Sequence, residues 1–189
     1  PVMLTECLDG LKINPKGVYL DLTFGGGGHT RAILEQLDGG KIYSFDQDDD
    51  AVQNAAVISS PSFQLIEANF RDVAKYLRLY GVSQVDGVLA DLGVSSHQFD
   101  VVDRGFSFRG DAPLDMRMNQ SFGQTAADIL NKYTEKDLHY VFGVYGEVRN
   151  AKTLAALVVK NRVNQSFKTT FQFVEMLRTI SPRGKEVKY

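Results

Sequence analysis

Four consecutive glycines stand between an apolar run and a helical pattern in the stretch YLDLTFGGGGHTRAIL, residues 19–34. Glycine tolerates positive φ and lets a ligand approach the backbone closely. A helix that begins just after a strand and such a loop offers backbone N–H groups to an anionic or nucleotide-like ligand. The loop therefore predicts a nucleotide-type site against Gly25, Gly27 and Gly28. A tight turn without a ligand would use the same residues, so the glycines alone leave both interpretations open.

Carboxylates end three of the predicted strands. Asp46 lies eighteen residues after Gly28, where an acidic residue can accept hydrogen bonds from ribose hydroxyls. Asp21 ends the first strand and Asp91 ends the fourth. Together these carboxylates favour a cationic nucleoside, such as a sulfonium, over a pyrophosphate. Phe70 follows the third strand, where it could stack on an adenine, although an isolated aromatic residue is more often part of a core.

Two better-known nucleotide motifs fit the loop less well. The dinucleotide fingerprint G-x-G-x-x-G matches at Gly25 and Gly27, but Thr30 occupies the third glycine position. The loop also lacks the lysine of a P-loop, which disfavours hydrolysis of nucleoside triphosphates. An NAD-dependent oxidoreductase therefore stays an alternative, weakened by Thr30 and by the acidic strand ends.

The elements that must position these residues alternate along the first half of the chain. Apolar β-type runs occur at 18–22, 41–45, 63–67 and 85–90. Helix-like spacing of apolar residues lies between them, at 29–37, 49–58 and 71–80. This order predicts βαβ units and a parallel sheet, whose carboxyl edge would carry the candidate site.

The alternation of strand-like and helix-like patterns ends after Asp91. Residues 92–124 show no clear period, and a long segment of that kind is more often functional than not. Only helical patterns follow, at 126–133, 135–144, 148–161 and 170–180, and Thr134 is a predicted N-cap.

Charge is distributed unevenly along the chain, whose formal net charge is -2. Residues 1–148 carry 12 Lys and Arg against 21 Asp and Glu, whereas residues 149–189 carry nine against two. In the third helical pattern Arg149, Lys152 and Lys160 share one side, which we call the basic face. The opposite side is apolar and contains Val148, Ala151, Leu154, Ala155 and Val158. A polyanion-binding surface and an ordinary solvated helix face would both show this pattern.

Composition narrows the class of protein. Hydrophobic residues make up 43% and charged residues 23%, which are ordinary globular values. The single cysteine, Cys7, excludes an internal disulfide and a cysteine-based zinc site. No metal site is evident, and the run of aspartates at 48–50 is more typical of a helix start. No apolar run approaches the roughly 20 residues that span a bilayer. We expect a soluble, cytoplasmic protein.

Five segments carry a resemblance to a known family: PVMLTECLDGL, DLTFGGGGHT, DLGVSSHQFD, RGFSF and PLDMRM. They resemble the MraW/RsmH family of S-adenosylmethionine-dependent methyltransferases, over nearly the whole chain. The resemblance implies methylation of the exocyclic N4 of a cytidine in small-subunit (16S) ribosomal RNA. It also implies an α/β, Rossmann-like class I methyltransferase fold with a mostly parallel sheet and an inserted all-helical domain. Residues 1–120 would bind S-adenosyl-L-methionine, and residues 121–189 would recognise the substrate.

The resemblance also implies roles for single residues. Cofactor contacts fall on Gly27, Gly28, His29, Asp46, Phe70, Asp91 and Gln98. Asp46 would hold the ribose and Phe70 would lie by the adenine, while Asp91 and Gln98 would flank the transfer site. Asp91 is the expected catalytic residue, as a hydrogen-bond acceptor for the amine. His29 and Gln98 come from the resemblance alone.

RNA contacts are expected in two places. The target base must leave its stack to reach the methyl group. Phe106 and Phe108 could stack on that base and Arg104 could hold a phosphate, or the segment could be a packed loop anchor. The basic face is the second expected contact. The partner would be the ribosomal RNA or the assembled small subunit, and dimerisation is possible.

The chain also departs from the family pattern. Family members generally continue beyond the point where this sequence stops, at SPRGKEVKY. Four parallel strands would leave a methyltransferase sheet unfinished, with an exposed edge. We therefore expect a C-terminally truncated chain. A non-catalytic RNA-binding or ribosome-assembly protein that retains the cofactor fold is the alternative function.

Overall fold

The computed structural model describes residues 1–180. The chain forms two compact units that divide between Gly93 and Val94. The sequence places the division after residue 120 instead. The functions assigned to the two predicted domains stay predictions.

The earlier division has a physical reason in the segment that precedes the long helices. Leu114 belongs to the hydrophobic core of the second unit, together with Leu138 and Val158. The N–H of Leu114 donates to the carbonyl of Lys168 at 2.9 Å. The residues before 120 therefore pack as part of the helical unit, although their sequence shows no helical period.

The first unit is built on a four-stranded sheet with the order β3-β2-β1-β4. The strands are β1 (Val18–Asp21), β2 (Lys41–Asp46), β3 (Phe63–Glu67) and β4 (Gly87–Leu89). All three pairings are parallel. The predicted parallel sheet is confirmed, and β4 is shorter than its apolar run.

Four α-helices accompany this sheet. They are α1 (Leu4–Leu11), α2 (Gly28–Leu34), α3 (Asp49–Ala55) and α4 (Val73–Leu79). The last three confirm the predicted helical segments with shorter bounds, whereas α1 was not predicted. Asp48 is the N-cap of α3, and its side chain accepts a hydrogen bond from the N–H of Asp50. The aspartate run therefore starts a helix, as its sequence indicates.

Alternate residues along the strands supply the cores on the two faces of the sheet. Leu20 and Tyr43 belong to one cluster. Their chain neighbours Tyr19 and Ile42 belong to another. Successive side chains of a strand point to opposite faces, so a sheet covered on both faces needs continuous apolar runs. That requirement explains why the strands were recognisable in the sequence.

The second unit is helical. Its helices are α5 (Ser96–Asp100), α6 (Ala126–Lys132), α7 (Glu135–Tyr140), α8 (Ala151–Arg162) and α9 (Thr170–Arg178). A π-helical turn, Val141–Tyr145, follows α7 directly. Thr134 is confirmed as an N-cap, because its side chain accepts a hydrogen bond from the N–H of Asp137. The five-residue helix α5 was not predicted, since one short turn shows no period.

The helix predicted for 148–161 begins at Ala151, so Val148 and Arg149 precede α8 and the remaining residues of the two predicted faces are confirmed. Ala151, Leu154, Ala155 and Val158 are buried. The three residues of the basic face are exposed. Arg162, at the end of the same helix, has a structural role instead. Its Nη1 donates to the carbonyls of Leu130 and Tyr133 at 2.8 and 2.6 Å. Lys152 and Lys160 of α8 are thus exposed, as is Arg149 just before it, whereas Arg162 anchors the helix.

Candidate functional site

The candidate site of the first unit lies at the carboxyl edge of the sheet. The glycine loop follows β1, Asp46 ends β2, Phe70 follows β3 and Asp91 follows β4. Because all four strands are parallel, these positions share one edge, where open α/β sheets bind ligands. The structure thus brings together the residues of the first unit that the sequence singled out, and their contacts with a ligand stay predictions.

The glycines of the loop have different reasons to be glycine. Gly25 and Gly27 adopt positive φ, 51° and 73°. A Cβ at Gly27 would lie 2.7 Å from the ring of Phe24, and a Cβ at Gly28 would lie 2.7 Å from the Pro1 side chain. A Cβ at Gly25 or Gly26 would meet no heavy atom within 4 Å. Packing therefore requires the last two glycines, whereas open space adjoins the first two.

Asp46 holds the start of this loop. Its Oδ2 accepts a hydrogen bond from the N–H of Gly25 at 2.8 Å. Its Oδ1 accepts from the N–H groups of Gln47 and Asp48 at 2.8 and 3.0 Å. Each carboxylate oxygen can accept two hydrogen bonds, so Oδ2 retains capacity for a ribose hydroxyl. Asp46 is thus both a support of the loop and a candidate ligand contact.

Two side chains hold the loop carbonyls. The Nη1 of Arg31 donates to the carbonyl of Gly26 at 2.6 Å. The Nδ2 of Asn54 donates to the carbonyl of Gly25 at 3.2 Å. Sequence analysis missed both residues, because neither belongs to a recognised motif. These bonds fix the backbone of the loop from the sides of α2 and α3.

Asp21 lies behind the loop with no exposed surface, which differs from the expectation that it faces a cationic ligand. Its Oδ2 accepts from the hydroxyl of Thr30 at 2.7 Å, and its Oδ1 accepts from the N–H of Thr23 at 3.1 Å. Burial raises the pKa of Asp21, against the lowering effects of these two hydrogen bonds and of the His29 charge. Asp21 is a structural carboxylate.

Thr30, which replaces the third glycine of the dinucleotide fingerprint, belongs to the same hydrogen-bond network as Asp21. The single hydroxyl proton of Thr30 goes to Asp21, so the Ser44 hydroxyl donates to Thr30 at 2.7 Å. Thr30 and Ser44 are both fully buried. A glycine at position 30 would leave both partners without this hydroxyl.

His29 is buried in the first turn of α2. Its Nε2 lies 3.1 Å from the carbonyl of Val2, which can only accept, so Nε2 carries the proton and donates. The ring therefore anchors the first residues of the chain to α2. A cofactor contact of His29 stays a prediction.

Phe70 and Asp91 are both exposed. Phe70 begins a 3-10 turn after β3 and is 39% exposed, so it is not a core residue. The backbone N–H of Asp91 donates to the hydroxyl of Thr23 at 2.8 Å. Among residues 1–180, the Asp91 carboxylate makes no hydrogen bond or ion pair. Its acceptor positions are therefore open to solvent or to a ligand.

In the second unit Gln98 is buried and closes the start of α5. Its Oε1 accepts from the N–H of Ser95 at 3.0 Å, and its own N–H donates to the Ser95 hydroxyl at 3.2 Å. This is a capping box of the S-x-x-Q type, a signal present in the sequence and missed there. A role of Gln98 at the transfer site stays a prediction.

The RGFSF segment combines a buried anchor with an exposed ring. Arg104 is buried, and its Nη2 donates to the carbonyls of Arg117 and Met118 at 3.0 and 2.8 Å. Phe106 is half-buried, and Phe108 is 59% exposed. Arg104 matches the packed-anchor interpretation, and Phe108 is placed where a base could reach it.

The basic face is available to a polyanion. Its three cations form no ion pair with any other residue of the described part of the chain. Within the same residues, no helix is long and apolar enough to cross a membrane. No cluster of three or more metal-ligating side chains occurs there either.

A family model decides the relationship. The model of the MraW methylase family matches residues 1–189. The chain belongs to the MraW methylase family. The predicted fold class is confirmed with it: the parallel sheet with its flanking helices is the Rossmann-like α/β fold of class I methyltransferases.

Curated relatives of this MraW-family chain share one name. The chain is 60% identical over 189 residues to the "Ribosomal RNA small subunit methyltransferase H" of Cytophaga hutchinsonii, covering 100% of the chain and 63% of the relative. It is 49% identical over 189 residues to the protein of that name from Bacteroides thetaiotaomicron, covering 100% and 62%. The chain therefore spans less than two thirds of these relatives' length.

Proposed function

We propose that this chain carries the cofactor site of an S-adenosyl-L-methionine-dependent methyltransferase that acts on small-subunit ribosomal RNA. The finer proposal is transfer to the N4 of a cytidine in 16S RNA. Family membership and the name of the relatives support the reaction class. The observation that carries the proposal is the shared carboxyl edge, with the glycine loop, Asp46, Phe70 and Asp91 on four parallel strands.

The residues of this edge fit the proposed cofactor. Open space adjoins Gly25 and Gly26, where a nucleoside could lie against the backbone. Asp46 retains acceptor capacity for ribose hydroxyls, and the exposed ring of Phe70 offers a stacking face for adenine. When bound, S-adenosyl-L-methionine supplies an electrophilic methyl group on a sulfonium.

Asp91 is the proposed catalytic residue. The lone pair of a cytosine amine is delocalised into the ring, which makes the amine a poor nucleophile. A carboxylate that accepts a hydrogen bond from that amine would favour localisation of the lone pair on nitrogen. Asp91 is suited to this role, because its carboxylate is exposed at the carboxyl edge and has no partner among the described residues. The rest of the catalysis is positioning, since displacement at carbon needs an in-line approach.

RNA recognition is proposed for the second unit. Phe106 and Phe108 would stack on the unpaired target base, and Arg104 would hold their segment in place. The basic face would bind phosphates, because its cations are exposed and unpaired within the described residues. Gln98 is proposed to contribute at the transfer site. A ribosomal RNA substrate also implies a cytoplasmic location.

The test begins with calorimetric titration of the protein with S-adenosyl-L-methionine, with NAD as the control ligand. Labelled methyl transfer is then measured on isolated small ribosomal subunits and on naked 16S RNA, and the modified nucleotide is identified. We expect binding of S-adenosyl-L-methionine alone and label on N4 of a cytidine. Binding of S-adenosyl-L-methionine without transfer to either substrate would favour the ribosome-assembly alternative.

The role of Asp91 has its own test. Asp91→Ala should abolish steady-state methyl transfer and leave only a slow residual rate. Calorimetry of the same variant measures separately what Asp91 contributes to cofactor affinity. Asp91→Asn is the matched variant that keeps size but removes the charge. An Asp91→Ala protein that transfers methyl groups at the wild-type rate would disprove the role.

A further inference from the structure

Thr23 connects the glycine loop with the residue proposed for catalysis. Its backbone N–H donates to the Oδ1 of Asp21 at 3.1 Å. Its hydroxyl oxygen accepts from the backbone N–H of Asp91 at 2.8 Å, across 68 positions of the sequence. Within residues 1–180, this is the one hydrogen bond that Asp91 makes. No motif in the sequence marks Thr23 for this contact.

The two hydrogen-bond partners of Thr23, Asp21 and Asp91, differ in how rigidly the structure holds them. Asp21 is fully buried and is fixed by the hydroxyl of Thr30, which in turn accepts from Ser44. Buried and satisfied polar networks of this kind are rigid. Asp91, in contrast, is exposed and lies beyond the end of β4, at the edge of the sheet. A contact with Thr23 therefore ties an exposed residue to a rigid one.

We infer that Thr23 is a positioning residue: its hydroxyl fixes the backbone of Asp91 and thereby the place of the Asp91 carboxylate. The inference rests on the proposed function, in which that carboxylate meets the target amine. A methyl transfer that depends on an in-line approach is sensitive to displacements of the order of 1 Å. Cofactor binding should depend less on this contact, because Asp46 holds Gly25 independently of Thr23.

The experiment compares Thr23→Val with Thr23→Ser. Valine keeps the branched shape but removes the acceptor, whereas serine keeps the hydroxyl. We expect Thr23→Val to lower kcat by about 10- to 100-fold, with little change in the Kd for S-adenosyl-L-methionine or in the KM for ribosomal subunits. Thr23→Ser should recover kcat to within roughly threefold of the wild type, because the hydroxyl supplies the acceptor.

A double variant separates action through Asp91 from any other effect. If Thr23 acts only by placing the carboxylate, Thr23→Val should cause no further loss of the slow residual transfer that Asp91→Ala shows in long incubations with enzyme in excess. Additive losses would overturn the inference. So would a Thr23→Val protein with wild-type kcat, or one that unfolds or loses cofactor binding, since the hydroxyl would then support the fold.

The outcomes distinguish this inference from the proposed function. An active Asp91→Ala protein would disprove the catalytic role of Asp91 and the inference with it. An inactive Asp91→Ala protein beside a fully active Thr23→Val protein would overturn the positioning role alone and leave the proposed function intact.

Discussion

Replacement of Thr30 by valine tests the buried network behind the glycine loop. Valine has nearly the shape of threonine but neither donates nor accepts, so Asp21 loses a donor and Ser44 loses its acceptor. All three side chains are fully buried, so the groups left without partners are shielded from bulk water. Leaving a buried polar group unsatisfied costs about 1–3 kcal/mol, and two groups are affected here. We expect a loss of roughly 2–6 kcal/mol in the free energy of unfolding.

The loss should depend on pH in a definite direction. The pKa of Asp21 is raised by burial and lowered in part by the bond from Thr30, so removal of that bond raises it further. A carboxyl with a raised pKa in the folded state stabilises the fold fully below its unfolded pKa, and this contribution is lost as pH rises through the folded pKa. The variant should therefore be least impaired near pH 4 and most impaired at pH 7.

The assay is urea unfolding of Thr30→Val and of Thr30→Ser at pH 4 and pH 7. Serine keeps the hydroxyl and loses one methyl group, so it measures the packing change without the polar loss. We expect Thr30→Ser to stay within about 1.5 kcal/mol of the wild type at both pH values. The reasoning is refuted if the two variants are equally stable at pH 7, or if the cost of Thr30→Val is the same at both pH values.

Three further predictions concern other parts of the molecule. Gly27→Ala should destabilise the protein by about 1–3 kcal/mol in thermal unfolding, because φ is 73° and the new Cβ would lie 2.7 Å from the buried ring of Phe24. The control is Gly10→Ala, which lies in a helix with open space around it and should be neutral or stabilising. Alanine at all three positions of the basic face should weaken RNA binding and lower the slope of log K against log salt by about 2 to 3, with cofactor affinity unchanged; an unaltered slope would exclude phosphate contacts there. Hydrogen bonds from Lys132 and Thr125 lower the pKa of Asp128 to about 2. The stability difference between wild type and Asp128→Asn should thus be present above pH 4 and shrink as pH falls through the folded pKa. A difference at pH 2 as large as that at pH 7 would contradict the assignment.

Local patterns determined the elements of this fold. The four apolar runs predicted the strands because a sheet buried on both faces needs continuous hydrophobic residues. Thr134 predicted a helix start, because capping is a local contact between residues three positions apart in the sequence. Apolar spacing also distinguished the buried residues of α8 from its exposed Lys152 and Lys160. Each of these features depends on neighbours in the sequence.

The sequence also predicted that the candidate residues share the carboxyl edge, because parallel strands bring their ends together whatever their order. The structure confirms that position, and the role of the residues stays a prediction. Asp46 and Phe70 could be singled out in this way. His29 and Gln98 could not, since their types and positions indicate nothing without the family resemblance. The S-x-x-Q signal at Gln98 was nevertheless present and predicts the cap that the structure shows.

Tertiary structure decided what each polar residue of the site does. Asp21 and Asp46 both end inner strands of the sheet, yet Asp21 is fully buried and Asp46 is half-exposed. The difference lies in the packing around them, since Thr30 of α2 lies against Asp21 and donates to it. Arg104 and the basic face are all cationic, yet Arg104 is buried against carbonyls more than ten positions away. The bond from Asp91 to Thr23 spans 68 positions. Burial and long-range partners arise only when distant segments pack, so they could not be predicted from composition or periodicity.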